Sequence, residues 1–324
     1  MLWQAFYTNL TLSAFSIIKT FMKHKKGQLI SGWLVIDKDE GIGSTDVVNQ
    51  TRRLLDAQKN GHTGTLDPFA TGVLPIAFGE ATKLIPYVTN GNKEYEFTLK
   101  FGSTTDTFDC TGNITKTCCK LPSKEEILAV LPCFIGEITQ IPPAYSAIKI
   151  NGKRAYDLAR QGENISIPKR KIHIFELELL EMIDDSQARL RVACSKGTYV
   201  RTLGADIAES LGTYGYLTAL RRTKCGKFSL ADTILLENLK NIEYVGERQR
   251  KILPILTCLC DITVIAVKEE DAAKLRQGQG ISPKSYEIST LMGKDAVATL
   301  DNQPVAVVRI DERKISPVRV FNLE

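Results

Sequence analysis

The stretch GHTGTLDPFATGVLP, residues 61–75, carries the densest chemical signal in this sequence. Its glycines let the backbone bend or approach a ligand closely. Pro68 restricts Asp67 to extended geometry, so the carboxylate is held on a stiff loop rather than on a helix. We expect residues 61–80 to form this loop between secondary elements. An aspartate before proline is also common in ordinary turns, and one carboxylate does not specify a reaction.

The composition is that of an ordinary globular protein. The chain has 324 residues, with 42 Lys plus Arg against 37 Asp plus Glu and a formal charge of +5. These values exclude a disordered chain, a collagen or a coiled coil. The small positive charge permits a polyanionic partner without requiring one. No apolar run reaches the roughly 18 residues of a membrane span, so we expect no membrane segment.

Neither the cysteines nor the histidines form a recognisable ligand cluster. None of the eight cysteines forms a Cys-x-x-Cys motif, and the three histidines lie far from any cysteine pair. A zinc site needs ligands clustered at short spacing. The cysteine content is also too low for a disulfide scaffold. We therefore predict reduced thiols, no metal site and a cytoplasmic location.

The chain divides into three parts. Residues 1–27 are apolar and hydroxyl-rich and end in a basic run, the reverse of the order in a secretory signal. We interpret them as an extension outside the folded body: residues 1–21 are untranslated if translation starts at Met22, and otherwise the extension is disordered or amphipathic. Residues 28–253 form the main domain, and residues 254–324 a small second domain that packs on it because it is short for independent stability.

Periodicity predicts a mixed α+β fold. Residues 32–38 indicate a buried strand, and Ser44 or Thr45 is expected to cap the following helix. The alternation in residues 95–101 indicates a strand with one buried face, and Ser123 with Glu126 forms a capping box. The remaining predictions are strands at 172–182, 188–194, 262–267, 296–300, 305–310 and 316–321, and helices at 155–161, 204–211 and 269–276. Strands and helices do not alternate regularly, which excludes a doubly wound sheet.

Two later stretches add possible functional residues. Residues 193–208 indicate a strand, a glycine turn and a helix that carries Arg201. Residues 221–227 contain four cations, which indicate either a solvated face or a surface for phosphates.

Together these stretches resemble the bacterial tRNA pseudouridine synthases of the TruB type. The match to GHTGTLDPxATGVLP is nearly complete, and it is supported in order by six further motifs between about residues 32 and 280. These are GEATK at 79–83, KEY at 93–95, TDTFD at 105–109, QIPPAYSAIK at 140–149, ARQG at 159–162 and CSKGTYVR at 194–201, followed by Leu220, Arg221 and Arg222.

The resemblance implies an isomerase that converts uridine 55 in the T-loop of tRNA to pseudouridine. It implies a pseudouridine synthase fold with a central, mostly antiparallel mixed sheet, and a small C-terminal β-rich, PUA-like domain that touches RNA. No cofactor, guide RNA or protein partner is implied, and we expect a monomer whose partner is the T-stem-loop of tRNA. The target base must be flipped out of its stack, which costs a few kcal/mol.

The resemblance also assigns roles to residues. Asp67 is the catalytic acid, which attacks C1′ or another electrophilic carbon or removes a sugar proton; these routes stay open. Arg201 pairs with it and keeps it ionised. Tyr95 stacks on the uracil and helps remove the C5 proton. The remaining substrate-binding residues are His62, which fills the space left by the flipped base, with Tyr199 and Leu220 in the nucleotide pocket. The expected RNA contacts are Lys83, Lys149, Arg160, Arg221 and Arg222.

The first motif of the family departs from its usual form. Where the family reads Asp-Lys-Pro-x-Gly-x-Thr-Ser, this chain reads DKDEGIGS at 37–44, and we expect a looser loop and altered RNA affinity. Three alternatives remain: a guide-RNA-dependent relative, a noncatalytic RNA-binding or tRNA-folding protein, and a glycosidase. A glycosidase needs two carboxylates about 5–10 Å apart, and no second acid stands out within the motifs.

Overall fold

A computed structural model describes residues 27–146, 148–150, 152–161, 166–259, 262–286 and 291–323. The predicted extension lies outside these residues apart from Gly27. The strands of the described residues, in chain order, are β1 Gly32–Lys38, β2 Asn60–His62, β3 Thr71–Phe78, β4 Lys93–Phe101, β5 Ser103–Thr105, β6 Ile114–Thr117, β7 Gly136–Gln140, β8 Lys149–Ile150, β9 Lys153–Arg154, β10 Arg170–Asp184, β11 Gln187–Cys194, β12 Gly215–Cys225, β13 Phe228–Ser229, β14 Ile234–Leu235, β15 Thr263–Ala266, β16 Asp295–Leu300, β17 Gln303–Ile310 and β18 Ile315–Val320. The α-helices are α1 Ser44–Leu54, α2 Ile85–Asn90, α3 Lys124–Val130, α4 Ala155–Arg160, α5 Val200–Ser210, α6 Leu236–Asn241, α7 Val245–Gln249 and α8 Glu269–Arg276.

A large mixed sheet forms the centre of the main domain. Its strand order is β14-β1-β3-β12-β4-β11-β10-β7, with β2 paired to β3 and β13 to β12. Among the described strand pairs of this sheet, only β1–β14 and β3–β12 are parallel. The predicted α+β class with a mostly antiparallel central sheet is therefore confirmed. The sheet brings β3, β4 and β12 side by side, although they come from three separate regions of the sequence.

Strand β1 is apolar throughout because the sheet is covered on both faces at this point. Leu34 and Ile36 pack in the cluster that contains α1 and α5, whereas Trp33 and Val35 pack in a second cluster on the opposite face. Successive side chains of a strand point to opposite faces, so a strand covered on both sides shows a continuous apolar run.

Several local predictions are confirmed. Strand β4 covers the alternating segment, with Phe97, Leu99 and Phe101 buried on one face. Ser123 and Glu126 form the capping box of α3. Strands β10 and β11 pair as an antiparallel hairpin, and the strands and helix predicted in the C-terminal region are all present.

Three local predictions need correction. Neither Ser44 nor Thr45 caps α1: the N-cap is Gly43, and no side chain bonds to the helix start. Residues 71–78 are not loop but strand β3, whose Gly72 and Pro75 concealed a buried strand. Helix α5 begins at Val200 instead of residue 204, with Tyr199 as its N-cap.

The C-terminal region forms its own four-stranded sheet, β15-β16-β17-β18. It packs on the main domain through an apolar cluster that joins Trp33 of β1 to Val297 and Phe321. The Tyr87 hydroxyl also donates to Asp295 Oδ2 at 2.8 Å across this contact. Within the described residues, no helix has both the length and the apolar character needed to cross a membrane.

We expect Trp33→Ala to destabilise the protein by about 3–5 kcal/mol, the usual cost of removing a large buried aromatic side chain. Trp33 is fully buried, lies 5.4 Å from the Phe228 ring between centroids, and donates its indole N–H to Ile255 O at 2.9 Å. Trp33→Phe keeps most of the packing and removes the indole bond to Ile255 O, which still accepts from Cys258 Sγ at 3.5 Å, so its cost should be smaller, about 0.5–1.5 kcal/mol. Urea unfolding followed by circular dichroism measures both values. Equal losses, or a loss within error of zero for Trp33→Ala, would contradict the assignment.

Candidate active site

Asp67 lies on a short loop that joins β2 to β3 and is anchored from the first motif of the chain. The Ser44 hydroxyl accepts from Leu66 N and donates to Leu66 O, both at 2.9 Å. Leu66, Phe69 and Ala70 point into the core. Leu66 is therefore fixed by its buried side chain and Pro68 by its ring. Asp67 lies between these two rigid neighbours.

Lys38 anchors the same loop from the end of β1. Its ammonium donates to the carbonyls of Asp39 at 2.8 Å, Ile42 at 2.9 Å and Pro68 at 3.0 Å. Burial lowers the pKa of Lys38 to about 8, and the nearby Asp39 and Asp67 limit that fall. Lys38 thereby ties the turn at residues 39–42 to the Asp67 loop, and the expected looseness of that turn and its altered RNA affinity stay predictions.

Arg201 lies in the first turn of α5 and reaches the Asp67 loop. Its Nε is 2.9 Å from Asp67 Oδ2, and its Nη1 is 3.2 Å from Asp109 Oδ2. It also donates to the carbonyls of Thr107 and Tyr145, both at 2.9 Å. The side chain of Arg201 is 4% exposed, so the structure places the predicted arginine beside the predicted acid and fixes it from four directions.

The Asp67 carboxylate has one paired oxygen and one oxygen left for a ligand. Within the described residues, Oδ1 accepts no hydrogen bond, and the side chain is 37% exposed. Burial raises the pKa of Asp67 from its ordinary value of 3.8, Asp109 adds to that rise, and Arg201 and Lys38 oppose it. Arg201 thus acts in the expected direction, toward the ionised form, but burial has the larger effect on this pKa.

Asp109 was not predicted to have a role, although it ends the TDTFD motif. It is 3% exposed. Its Oδ1 accepts from Thr107 Oγ1 at 2.8 Å and from both Thr111 N and Thr111 Oγ1, at 3.0 and 2.6 Å. Its position at the end of a motif was the signal, but only the fold shows that it orients Arg201.

A cavity of about 340 Å³ opens beside Asp67, at the lower end of the volumes typical of small-ligand sites. The structure brings six of the predicted residues to its wall: Asp67, Tyr95, Tyr199, Arg201, Leu220 and Arg222. Among the described residues that line it, Asp67 is the one acid, against five cations. The cations are Lys93, Arg170, Lys196, Arg201 and Arg222. An anionic ligand with an electrophilic group near Asp67 fits this pattern of charge.

The two tyrosines of the wall are neutral phenols at physiological pH. Burial raises the pKa of Tyr95 to about 12, although Arg222 opposes the rise. Burial likewise raises the pKa of Tyr199. Tyr95 therefore offers a ring to stack on and a hydroxyl, but not a phenolate base. The Arg170 guanidinium lies 5.4 Å from the centre of the Tyr199 ring.

His62 is not among the residues that line the cavity. It ends β2, and its Nδ1 accepts from Gly64 N at 3.2 Å. Burial lowers the pKa of His62, and Arg222 contributes to that fall, so the imidazole is neutral at physiological pH. Its predicted insertion into the RNA stays a prediction, and it needs no positive charge.

The four cations of segment 221–227 differ in exposure: Lys224 and Lys227 are exposed, whereas Arg222 is buried. Arg221 makes a bidentate pair with Asp37, with N–O distances of 3.0 and 2.7 Å. Arg222 is 1% exposed, donates to Val73 O at 2.7 Å and lines the cavity, so its RNA contact stays a prediction and would be made inside the cavity. Lys224 pairs with Glu94 at 3.1 Å. Strand pairing turns Arg222 inward, which a count of charges cannot show.

The other predicted RNA contacts are only partly described. Lys83 pairs with Glu80 and donates to Val320 O at 2.6 Å, so its ammonium joins the two domains. Its phosphate contact stays a prediction. The backbones of Lys149 and Arg160 lie in β8 and α4, but their side chains lie outside the described part of the structure. No group of three or more metal-ligating side chains occurs among the described residues.

We expect Arg201→Ala to destabilise the protein by about 3–5 kcal/mol at neutral pH, because it leaves the buried Asp109 carboxylate without its counter-charge. Arg201 also opposes the burial-raised pKa of Asp67, so without it that carboxylate takes up a proton more readily and the difference from the wild type should shrink as the pH falls. Urea unfolding at neutral and mildly acidic pH measures both effects. Arg191→Ala, which breaks an exposed pair with Glu178, is the matched control and should cost at most about 1 kcal/mol. A pH-independent loss for Arg201→Ala would contradict the explanation.

Two family models match the chain, the TruB family pseudouridylate synthase N-terminal domain at residues 52–200 and the tRNA pseudouridylate synthase B C-terminal domain at residues 201–259. Curated relatives named tRNA pseudouridine synthase B include one from Caulobacter vibrioides, 45% identical over 93% of this chain and 99% of the relative. Another, from Rhodospirillum rubrum, is 43% identical over the same shares.

Solved structures show the same fold at lower identity. The archaeal box H/ACA Nop10–Cbf5 complex contains a chain that matches with a TM-score of 0.70 and 23% identity, covering 91% of this chain and 87% of that chain. An H/ACA ribonucleoprotein bound to a substrate RNA containing 2′-deoxyuridine gives a TM-score of 0.69 at 22% identity, covering 90% and 85%. From the family models and the curated relatives, this chain belongs to the TruB family of tRNA pseudouridine synthases.

Proposed function

We propose that this chain isomerises uridine 55 in the T-loop of tRNA to pseudouridine, without a guide RNA. The observation that carries the proposal is the Asp67 carboxylate, fixed on one oxygen by Arg201 and facing a cavity whose other charges are positive. The excess of cations suits a ligand that carries phosphates. The bacterial relatives at 43–45% identity, each named tRNA pseudouridine synthase B, support tRNA as the substrate.

The reaction rearranges one nucleotide with no net change in composition. The bond from N1 to C1′ breaks, a bond from C5 to C1′ forms, C5 loses its proton and N1 gains one. Asp67 Oδ1 is the atom offered to the sugar or the base. Attack on C1′, attack on another electrophilic carbon and removal of a sugar proton all need this carboxylate ionised. The hydrogen bonds from Arg201 hold the other oxygen, which leaves Oδ1 free to react.

The cavity receives one nucleotide that has been flipped out of the RNA stack. Flipping costs a few kcal/mol, which stacking and backbone contacts must offset. Tyr95 supplies a ring for the uracil, and Tyr199 with Leu220 closes the wall around it. The neutral imidazole of His62 lies on the adjoining strand β2, where it fills the space left in the RNA by stacking alone.

The proton at C5 needs an acceptor other than a tyrosinate. A phenol with a pKa of about 12 is almost wholly protonated at neutral pH. We infer that Tyr95 acts through its ring and its hydroxyl, and that the proton leaves to Asp67 or to solvent once the carboxylate is free again.

The alternatives are less well supported. A glycosidase needs a second carboxylate at the substrate, but Asp109 is buried behind Arg201 and is not among the residues of the cavity wall. A noncatalytic RNA-binding protein would not need a buried arginine held by two carboxylates. Dependence on a guide is disfavoured because identity to the bacterial relatives is about twice that to the H/ACA chains. We infer a cytoplasmic monomer that needs no protein partner.

We expect Asp67→Asn to abolish pseudouridine formation in a T-stem-loop RNA while leaving RNA affinity within about twofold, because the amide keeps the shape of the side chain but cannot act as a nucleophile or base. Mapping of pseudouridine after incubation with pure protein, without guide RNA or metal, measures activity, and filter binding measures affinity. Asp46→Asn, on the exposed face of α1, is the matched control and should leave both unchanged. Wild-type turnover in Asp67→Asn would end the assignment.

We also expect the single-turnover rate of the wild-type protein to fall on the acid side as Asp67 takes up a proton. The ionised form is the active one, and burial raises its pKa. The fall should therefore be centred above the ordinary value of 3.8. Rates measured across a mildly acidic to neutral range, with circular dichroism to monitor folding, check this. A rate that stays flat until the protein unfolds would contradict a raised pKa.

A further inference from the structure

Gln140 is a buried amide whose role neither the sequence motifs nor the reaction explains. It ends strand β7, is 1% exposed, and stands opposite Arg170 in the β7–β10 register. Its Nε2 donates to Tyr199 O at 3.0 Å, and its Oε1 accepts from Tyr199 N at 2.8 Å. A single side chain therefore makes both hydrogen bonds that a neighbouring strand would make to this residue.

The segment that Gln140 holds is the N-terminus of the catalytic helix. Tyr199 is the N-cap of α5, with extended backbone at φ −100° and ψ 106°, and no side chain caps the helix locally. The start of α5 is thus fixed by a residue 59 positions earlier in the chain. A carboxamide fits because it carries a donor and an acceptor at one end, whereas a carboxylate carries acceptors alone.

The consequences reach the reacting carboxylate within two residues. The Tyr199 side chain forms part of the cavity wall. Arg201, two residues later in the first turn of α5, holds Asp67 Oδ2 at 2.9 Å. A shift of the Tyr199 backbone would move the wall and the guanidinium together. A displacement of about 1 Å in a catalytic group can cost about 100-fold in rate.

We propose that Gln140 is a positioning residue for the isomerisation, which fixes the Tyr199 backbone and thereby sets the contact between Arg201 and Asp67. The proposal rests on the function proposed above. Gln140 itself touches no reacting atom; it acts through the helix start, on both the wall and the ion pair.

The test compares Gln140→Leu, which keeps most of the volume without polar atoms, with Thr213→Val. Thr213 is 4% exposed just beyond the other end of α5, where its hydroxyl donates to Lys120 O at 2.7 Å, so this control also removes a buried bond that anchors the same helix. Single-turnover rates on the T-stem-loop RNA, pH profiles, RNA affinities and melting temperatures are measured for both variants.

We expect Gln140→Leu to lose about 100-fold in the rate of the bound complex, with RNA affinity within about twofold of the wild type. The fall of its rate at low pH (the acid limb of the pH–rate profile) should move to higher pH, since a loosened Arg201 stabilises the ionised Asp67 less. Thr213→Val should keep the wild-type rate and acid limb, whatever its melting temperature. An unchanged rate and limb in Gln140→Leu, or the same loss and shift in Thr213→Val, would overturn the proposal.

A Gln140→Glu variant decides the matter even if Gln140→Leu does not fold. A buried glutamate takes up a proton more readily than an exposed one, and the protonated acid can donate to Tyr199 O as the amide does. The defect relative to the wild type should therefore narrow as the pH falls, and a defect constant with pH would overturn the proposal. No pseudouridine from the wild-type protein would overturn the proposed function as well, whereas failure of this inference alone appears only in the variants.

Discussion

The guanidinium of Arg201, shared between Asp67 and Asp109, is the interaction on which the site depends. A buried charge is costly unless it is paired and fully hydrogen-bonded, and here two carboxylates and two backbone carbonyls surround the arginine. Asp109 is itself satisfied by Thr107 and Thr111. The network leaves one oxygen of Asp67 uncommitted, so the unsatisfied bonding capacity lies at the point where the nucleotide must react.

The loop that carries Asp67 is stiff because neighbouring elements hold it through its backbone. Ser44 bonds to both polar groups of Leu66, and Lys38 bonds to Pro68 O from the end of β1. Because these side chains bond to the backbone of the loop, they fix its position without contacting the Asp67 carboxylate. The rise in the pKa of Asp67 that burial causes is opposed by the positive charges of Arg201 and Lys38.

The central sheet unites residues that are far apart in the sequence. Strands β3, β4 and β12 lie side by side, which places the Asp67 loop, Tyr95 and Leu220 around one cavity. Burial of both faces of β1 ties that sheet to the helices on one side and to the C-terminal sheet on the other. The cavity is therefore built on rigid strands and one helix terminus, which suits a reaction that depends on holding a flipped base in place.

The sequence by itself determined the α+β class and those strands with a clear local periodicity, such as β1, β4, β10, β11 and the C-terminal strands. Through the family resemblance, its motifs also singled out Asp67, Tyr95, Tyr199, Arg201 and Leu220, which the structure places around one cavity. The sequence misassigned β3, whose Gly72 and Pro75 obscured a buried strand. Only the tertiary structure decided which side chains are buried and paired: that Arg222 points inward, that Asp109 orients Arg201, and that burial outweighs the ion pair in raising the pKa of Asp67. Desolvation and long-range pairing depend on what surrounds a group in space, and no run of neighbouring residues records that.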